Sequence, residues 1–492
     1  MLASVTPVTM KTKALGLLLC SALTLLPTAV DAQIGRRFPS EKKVVPDPVT
    51  GVPLTFLTST PAGDSKIYPT HHQWTADGKW VVFRSNRVPG EALAVNEETG
   101  DIVQLTEGGY MGMLNSAHHS MRLFFMRDLN PPPRRRPPAE AKDAAKAPEK
   151  AAAAPEQKGP PPRRGPFQVI ELDLEKVFAD SAAGTMKPAS HYERICGTLP
   201  EGIIADGNMG IDANEDFAYF RVTGDEVARR LPADQKPAEK FGPRNMGAGP
   251  QGLGSMNLKT GEYKHIVTVP FQVGHVQTNP WVPGEIVFCW ETGGKAPTRM
   301  WTVMADGTGL RPVYPEQDFE WITHEAIISK DEIAFAIIAL RMPQLPGGPE
   351  QPNVAPALPG WGPAGTADHP TGLAIMNLRT REVRIAGQVP FGDPGRSFWH
   401  VHGSPDGRWG VADDFEYRTW LIDRRTGETV LLADNGHKKT AADHQHPTFS
   451  PDGTRIQIQS AMLSPDGRAM NICIIPVPKA WLARTYSPTL PQ

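Results

Sequence analysis

Cysteine is scarce, with four in 492 residues. Cys20 falls in an N-terminal apolar run, which leaves Cys196, Cys289 and Cys473, an odd number spread far apart. A disulfide framework is therefore disfavoured, and the three read as buried small hydrophobes. Long apolar runs are missing as well. The single one, Ala14 to Leu26, is too short to span a bilayer. Neither sign of charge dominates: 51 Lys and Arg against 53 Asp and Glu leave a net charge of -2. No global field then draws the chain to nucleic acid or to an anionic membrane. A His-Glu-x-x-His helix, a Gly-x-Ser-x-Gly elbow, a phosphate-binding P-loop and a dinucleotide-binding fingerprint are all lacking. Zincin peptidase, serine hydrolase, kinase and dehydrogenase chemistries are disfavoured accordingly.

Breakers, by contrast, are abundant: 46 Gly and 50 Pro, in a chain that is 40% hydrophobic. Such a chain is built from short strands and turns. Lys11 and Lys13 before Ala14–Leu26, then Val30-Asp31-Ala32, read as an export signal over residues 1–32 with the mature chain starting at Gln33 and a periplasmic or secreted location. Residues 33–51 read as a polar, Pro-rich arm.

From residue 52 to 480 two turn markers alternate. One is an Asp-Gly hairpin: Ala76-Asp77-Gly78, Ser404-Pro405-Asp406-Gly407 and Ser450-Pro451-Asp452-Gly453. The other follows about 20 residues later as Lys259-Thr260-Gly261-Glu262, Arg379-Thr380-Arg381-Glu382 and Arg425-Thr426-Gly427-Glu428. The period is roughly 45 residues, one four-stranded propeller blade. The expectation is an all-β, seven-bladed β-propeller with blades near 61–107, 110–181, 193–269, 271–315, 320–387, 396–434 and 440–478. The strand at Val52–Thr60 would complete the last blade, because an open ring exposes sheet edges. Two insertions interrupt the repeat. Residues 131–166, with nine Lys and Arg against four acids, have too few large apolar residues to bury a core. Residues 342–370 carry Trp361 in a Pro- and Gly-rich loop, and 481–492 form a tail.

Ten of the 14 histidines fall just before or on the first strands of the blades: His71, His72, His118, His119, His275, His324, His400, His402, His444 and His446. In an extended segment residues i and i+2 share a face, so His444 and His446 point together as two ligands of one metal would. A ring of imidazoles around one channel is expected to hold a metal with acid–base groups to spare.

Four segments resemble the oligogalacturonate lyases, seven-bladed propeller polysaccharide lyases that use a divalent metal, typically manganese. Gly274-His275-Val276-Gln277 is similar to the family's Gly-His-Pro-Gln, Phe288-Cys289-Trp290-Glu291 to its Phe-Cys-His-Glu, Thr323-His324-Glu325 to its Thr-His-Glu, and His444-Gln445-His446-Pro447 to its His-Pro-His-Pro. The resemblance implies His275 as the base and His324, His444 and His446 as metal ligands. Ala441 stands where the family has a glutamine ligand, which leaves Gln445, Asp443, His400, His402 or water as the replacement, with His72 a further ligand or substrate contact. Arg244 is the nearest candidate for the family's arginine. The resemblance implies β-elimination on a uronate-containing oligosaccharide, with Mn2+ as the expected cofactor and Trp290 or Trp361 stacking on a sugar face. A non-catalytic TolB-like envelope scaffold, or a propeller enzyme acting on another acidic glycan, stays open as an alternative.

Overall fold

The computed structural model describes residues 33–131, 164–240, 246–294, 296–316, 320–338, 371–390, 397–434 and 440–485. The export signal, Arg244, Trp361 with the rest of 342–370, and nearly all of the 131–166 insertion lie outside the described residues. Among those described, no helix is long and apolar enough to cross a membrane.

The chain forms seven antiparallel sheets, five of four strands and two of five, arranged as a seven-bladed propeller. The first strands of the blades are Asp64–Lys66, Met111–Ser116, Ile204–Ile211, Val273–Thr278, Trp321–Ser329, Phe398–Gly403 and Thr448–Phe449. They line the central channel, and most lie directly against their neighbours in the ring. Middle strands such as Glu285–Trp290 and Glu332–Ile338 are apolar almost throughout, because adjacent blades cover both of their faces. Phe83, Phe125, Phe220, Phe288 and Phe335 are fully buried between blades, each contributing roughly 1.5–3 kcal/mol.

The Asp-Gly markers form the expected hairpins. Ser404 Oγ donates to Asp406 at 2.6 Å and Ser450 Oγ to Asp452 at 2.6 Å, while Gly407 and Gly453 take φ of 73° and 69°. The ring closes where Pro53–Phe56 pairs with Asn471–Pro476. The segment expected as an arm carries two strands of its own. Lys43–Pro46 pairs with Pro53–Phe56 as a fifth strand of the last blade, and Arg37–Phe38 pairs with Ile102–Gln104 as a fifth strand of the first. Between them Glu41 accepts the Ser59 and Thr60 amides at 2.7 and 3.0 Å and pairs with Arg87 at 2.6 Å.

One blade boundary differs from expectation. Glu193–Thr198 pairs with Phe167–Asp173 and is the outer strand of the second blade, not the start of the third. The displacement comes from a helix, Leu174–Ala183, inserted between those strands. Asp173 caps it by accepting the Lys176 amide, and Gly184 ends it in the left-handed conformation at φ 69°.

Candidate active site

Five of the seven channel strands slip register at a comparable level. The shifts fall at Met111/Asn115, Ala205/Met209, Gly274/Gln277, Thr323/Ala326 and Phe398/Val401. A bulge re-aims the side chain it carries. In the second and third blades the bulge holds a left-handed glycine, Gly112 or Gly207, where a Cβ on either would run into the other's backbone. In the fourth and fifth it holds His275 at φ 47° and His324 at φ 54°, and in the seventh blade His446 sits at φ 53°. Histidine in this region carries backbone strain of order 1–3 kcal/mol, the kind that accumulates at functional sites.

These bulges gather a compact group at one mouth of the channel. His400 is its hub, with ring centroids 3.9 Å from His324, 4.0 Å from His446 and 5.4 Å from His444. Tyr68, which precedes the first blade's His71-His72, reaches into the middle. Its ring lies 4.9 Å from His275 and 5.2 Å from His446. Its oxygen is 2.6 Å from His324 Nδ1. The tautomer with the proton on Nδ1 donates there and leaves the His324 Nε2 lone pair buried with no partner. The buried Nδ1 of His444 also has no partner, and its ring is stacked on Tyr417 at 4.3 Å. His400 Nδ1 is 3.0 Å from Asp413, whose carboxylate also accepts the His446 amide at 3.1 Å. A ring nitrogen anchored by a carboxylate is the usual outer support of a metal-binding histidine. Ligand atoms of His400, Asp413 and His444 come within 4.8 Å of one another. Unpartnered imidazole nitrogens with a carboxylate-held hub form a donor set that fits a divalent transition ion.

His275 lies across from this group, 6.4 Å from His324 between ring centroids. Its Nδ1 is 3.1 Å from Glu325 and its Nε2 is 3.4 Å from Glu291. Arg299, fully enclosed, donates from Nε to Glu325 at 2.8 Å and places its terminal nitrogen 3.3 Å from His275 Nδ1.

Burial dominates the electrostatics. It pushes the His324, His400 and His446 rings well below the ordinary histidine range, with neighbouring positive charge adding to the effect. It raises the Asp413 carboxyl to about 6 against the pull of His444 and three backbone amides. At Glu325 burial also acts upward, but Arg299 and His275 outweigh it and hold the carboxyl at about 2.

No protein-family profile matches the sequence, and no curated protein does so either. Solved structures do match in fold. An oligogalacturonate lyase in complex with manganese shares 16% identity at a TM-score of 0.63, over 92% of this chain and 100% of that one. An oligogalacturonate lyase from Vibrio parahaemolyticus shares 18% identity at a TM-score of 0.62, with the same coverage. The fold resembles that of oligogalacturonate lyases. At these identities the likeness shows the fold alone, and the chemistry rests on the site.

Of the residues singled out in the sequence, His275, His324, His400, His444 and His446 come together at this mouth. The pair His444 and His446 does so differently from expectation. The segment is not a regular strand, since His446 is left-handed and the strand begins only at Thr448, and both rings lie against His400. The ten-histidine ring also divides. His118 and His119 follow the second blade's channel strand, and His72 and His402 lie farther along the channel, at its other mouth. His71 is held in the wall, with Nε2 2.7 Å from the Met209 carbonyl. Gln445 donates to the Tyr417 carbonyl. Near the position of Ala441, the polar groups present are Asp443, 3.6 Å from His446 Nε2, and Gln459, which donates to the His444 carbonyl at 2.7 Å. Trp290 packs on Phe271 at 4.7 Å and donates to the Gly247 carbonyl, a structural placement. The aromatic wall at the site is instead Trp399, 4.5 Å from His324.

Proposed function

We propose that this protein is a metal-dependent lyase that cleaves uronate-containing oligosaccharides by β-elimination. The observation that carries the reading is His275, flanked by Glu325 and Glu291, facing a cluster in which His324 Nε2 and His444 Nδ1 lack partners, with His324 6.4 Å away between rings. Removing the weakly acidic C5 proton of a uronate needs a positioned base and positive charge against the carboxylate beside that carbon. His324, His444 and His446, around His400, are the residues that would hold the divalent cation, and Mn2+ is the expected ion. Such a cation supplies charge to the substrate carboxylate as negative charge develops there.

The residues of the chain do the rest. His275 takes the C5 proton, and the ring that becomes positive is flanked by two carboxylates that stabilise it. The C5–H electron pair forms the C4–C5 double bond, the C4–O bond breaks, and the departing oxygen is protonated from water, leaving a 4,5-unsaturated sugar. Arg299 holds Glu325 ionised and aimed at the base. Trp399 offers a flat face for a sugar ring beside His324. Arg244 remains the candidate for a second substrate carboxylate. The export signal read at residues 1–32 places this chemistry in the periplasm or outside the cell.

The test is ultraviolet absorbance of the conjugated product when manganese-loaded protein meets oligogalacturonate and other uronate oligomers, with and without chelator. Product that depends on metal and disappears in His275→Ala supports the reading. A metal-loaded protein that forms no product from any uronate overturns it.

A further inference from the structure

The opposite mouth of the channel holds a cavity of about 340 Å³. It lies two to four residues past the candidate active site along the chain: Thr278 after His275 and His402 after His400 on their channel strands, and His72 after Tyr68 in the segment that follows Asp64–Lys66. At about 3.3 Å per residue this is on the order of 10 Å away. It opens among the Asp-Gly hairpins, beside the exposed Pro405 and Pro451.

Four buried polar atoms of its lining residues have no partner: Ser116 Oγ, His72 Nδ1, His402 Nδ1 and Gln73 Oε1. Ser116 is only 3% exposed. Buried polar atoms left unpaired cost free energy, and a ligand that satisfies them recovers it. At the rim stands Trp281, 45% exposed and the one aromatic among the large exposed hydrophobic side chains of the described residues. Its loop is rigid: Asn279 accepts the Trp281 amide at 3.0 Å and donates to Glu285 at 2.6 Å.

Charge narrows the ligand. Among the described residues lining the cavity there is no Asp, Glu, Lys or Arg. Burial pushes His72 down to about 3, so its ring is a neutral hydrogen-bonding group at physiological pH. The nearest cation, Lys66, is buried behind the lining, with Nζ donating to Thr448 Oγ1 at 2.7 Å, so a carboxylate or phosphate meets no Lys or Arg in the lining itself. A metal is disfavoured as well. Rings of His72 and His118 stack face to face at 4.5 Å, and neither belongs to a described set of three ligand atoms within 4.8 Å. An exposed indole with neutral donors and acceptors beside it suits the apolar faces and hydroxyls of a sugar.

We propose that this mouth is a second, non-catalytic carbohydrate site that takes a neutral sugar unit, with Trp281 as its stacking platform and Ser116, His72 and His402 as its polar contacts. It does not depend on lyase chemistry at the other mouth. The experiment is calorimetric titration of the full chain with galactotriose, xylotriose and cellotriose, before and after chelator treatment. One neutral trisaccharide is expected to bind with the same affinity in both, and equally in His275→Ala. Trp281→Ala should weaken it about tenfold, a stacking contribution of about 1.4 kcal/mol, and Ser116→Ala should weaken it too while leaving product formation from short uronates unchanged. No binding of any of the three, binding insensitive to both substitutions, binding of uronates only, or a metal stoichiometry that falls in His402→Ala would each overturn the proposal.

Discussion

Glu325 holds His275 through Nδ1 at 3.1 Å, and the residue immediately before Glu325 is His324. The left-handed turn at His324 sends two consecutive side chains in different directions, one to the cluster around His400 and the next to His275 on the neighbouring blade. The proposed base and the proposed cation site are thereby fixed to one backbone segment, and a shift of that segment moves both.

Arg299 and Glu325 form a buried ion pair, so breaking one side leaves an uncompensated charge. Glu325→Gln or Arg299→Met alone should cost about 3–5 kcal/mol in urea unfolding. The double substitution should recover much of that loss. Turnover should separate from stability. Each single variant and the double variant should all fall by about a hundredfold or more, because the base loses its orientation. Recovered stability with unrecovered turnover is the expected pattern, and recovery of both would remove Glu325 from the site.

Backbone strain at the base predicts an inversion of the usual order of substitutions. Ala at position 275 keeps the positive φ and its cost, whereas Gly relaxes it. His275→Gly should therefore be about 1 kcal/mol more stable than His275→Ala, with both inactive. Paired denaturant curves at one pH decide it.

The Asp413 carboxylate supports His400 Nδ1 and the His446 amide together. Asp413→Asn should lower affinity for manganese by about 10–100-fold without abolishing it. His324→Ala should reduce the bound metal outright, while His275→Ala should retain it. Metal content after dialysis, with competition titration for affinity, reads all three.

Much of this site was readable from the chain because histidine spacing and turn markers are local signals. The repeat of Asp-Gly and Thr-Gly turns located the blades, and His275, His324, His400, His444 and His446 stood at matching points of them. Tyr68, Arg299, Asp413, Trp399 and Gln459 were not readable in the same way. Each acts on a residue of another blade or strand, so its role depends on which strands the ring brings together. Bulges hid more. Strict alternation along an extended strand paired His444 with His446 directly, whereas His446 is itself left-handed, the strand begins only at Thr448, and both rings pack on His400. The outer strand of the second blade was misassigned because the Leu174–Ala183 helix lengthens one connection beyond the repeat.

Ring closure carries a pH dependence of its own. Burial acts to raise the Glu41 carboxyl, but hydrogen bonds from Arg87 and from the Ser59 and Thr60 amides outweigh it and hold it below the ordinary glutamate value. A depressed carboxyl contributes stability that is fully present above the unfolded value and is lost as pH falls through the folded one. Asp64, on the other side of Arg87, is shifted upward, chiefly by burial, so it does not add to this loss in the same direction. Glu41→Gln should therefore destabilise the protein at neutral pH and make little difference once pH is below the lowered value. Its unfolding free energy should also depend less on pH across the acid range than that of the unsubstituted chain. Urea midpoints measured from neutral to strongly acidic pH test this. A Glu41→Gln protein with an unchanged acid slope would mean that the arm does not help to hold the ring closed through this carboxylate.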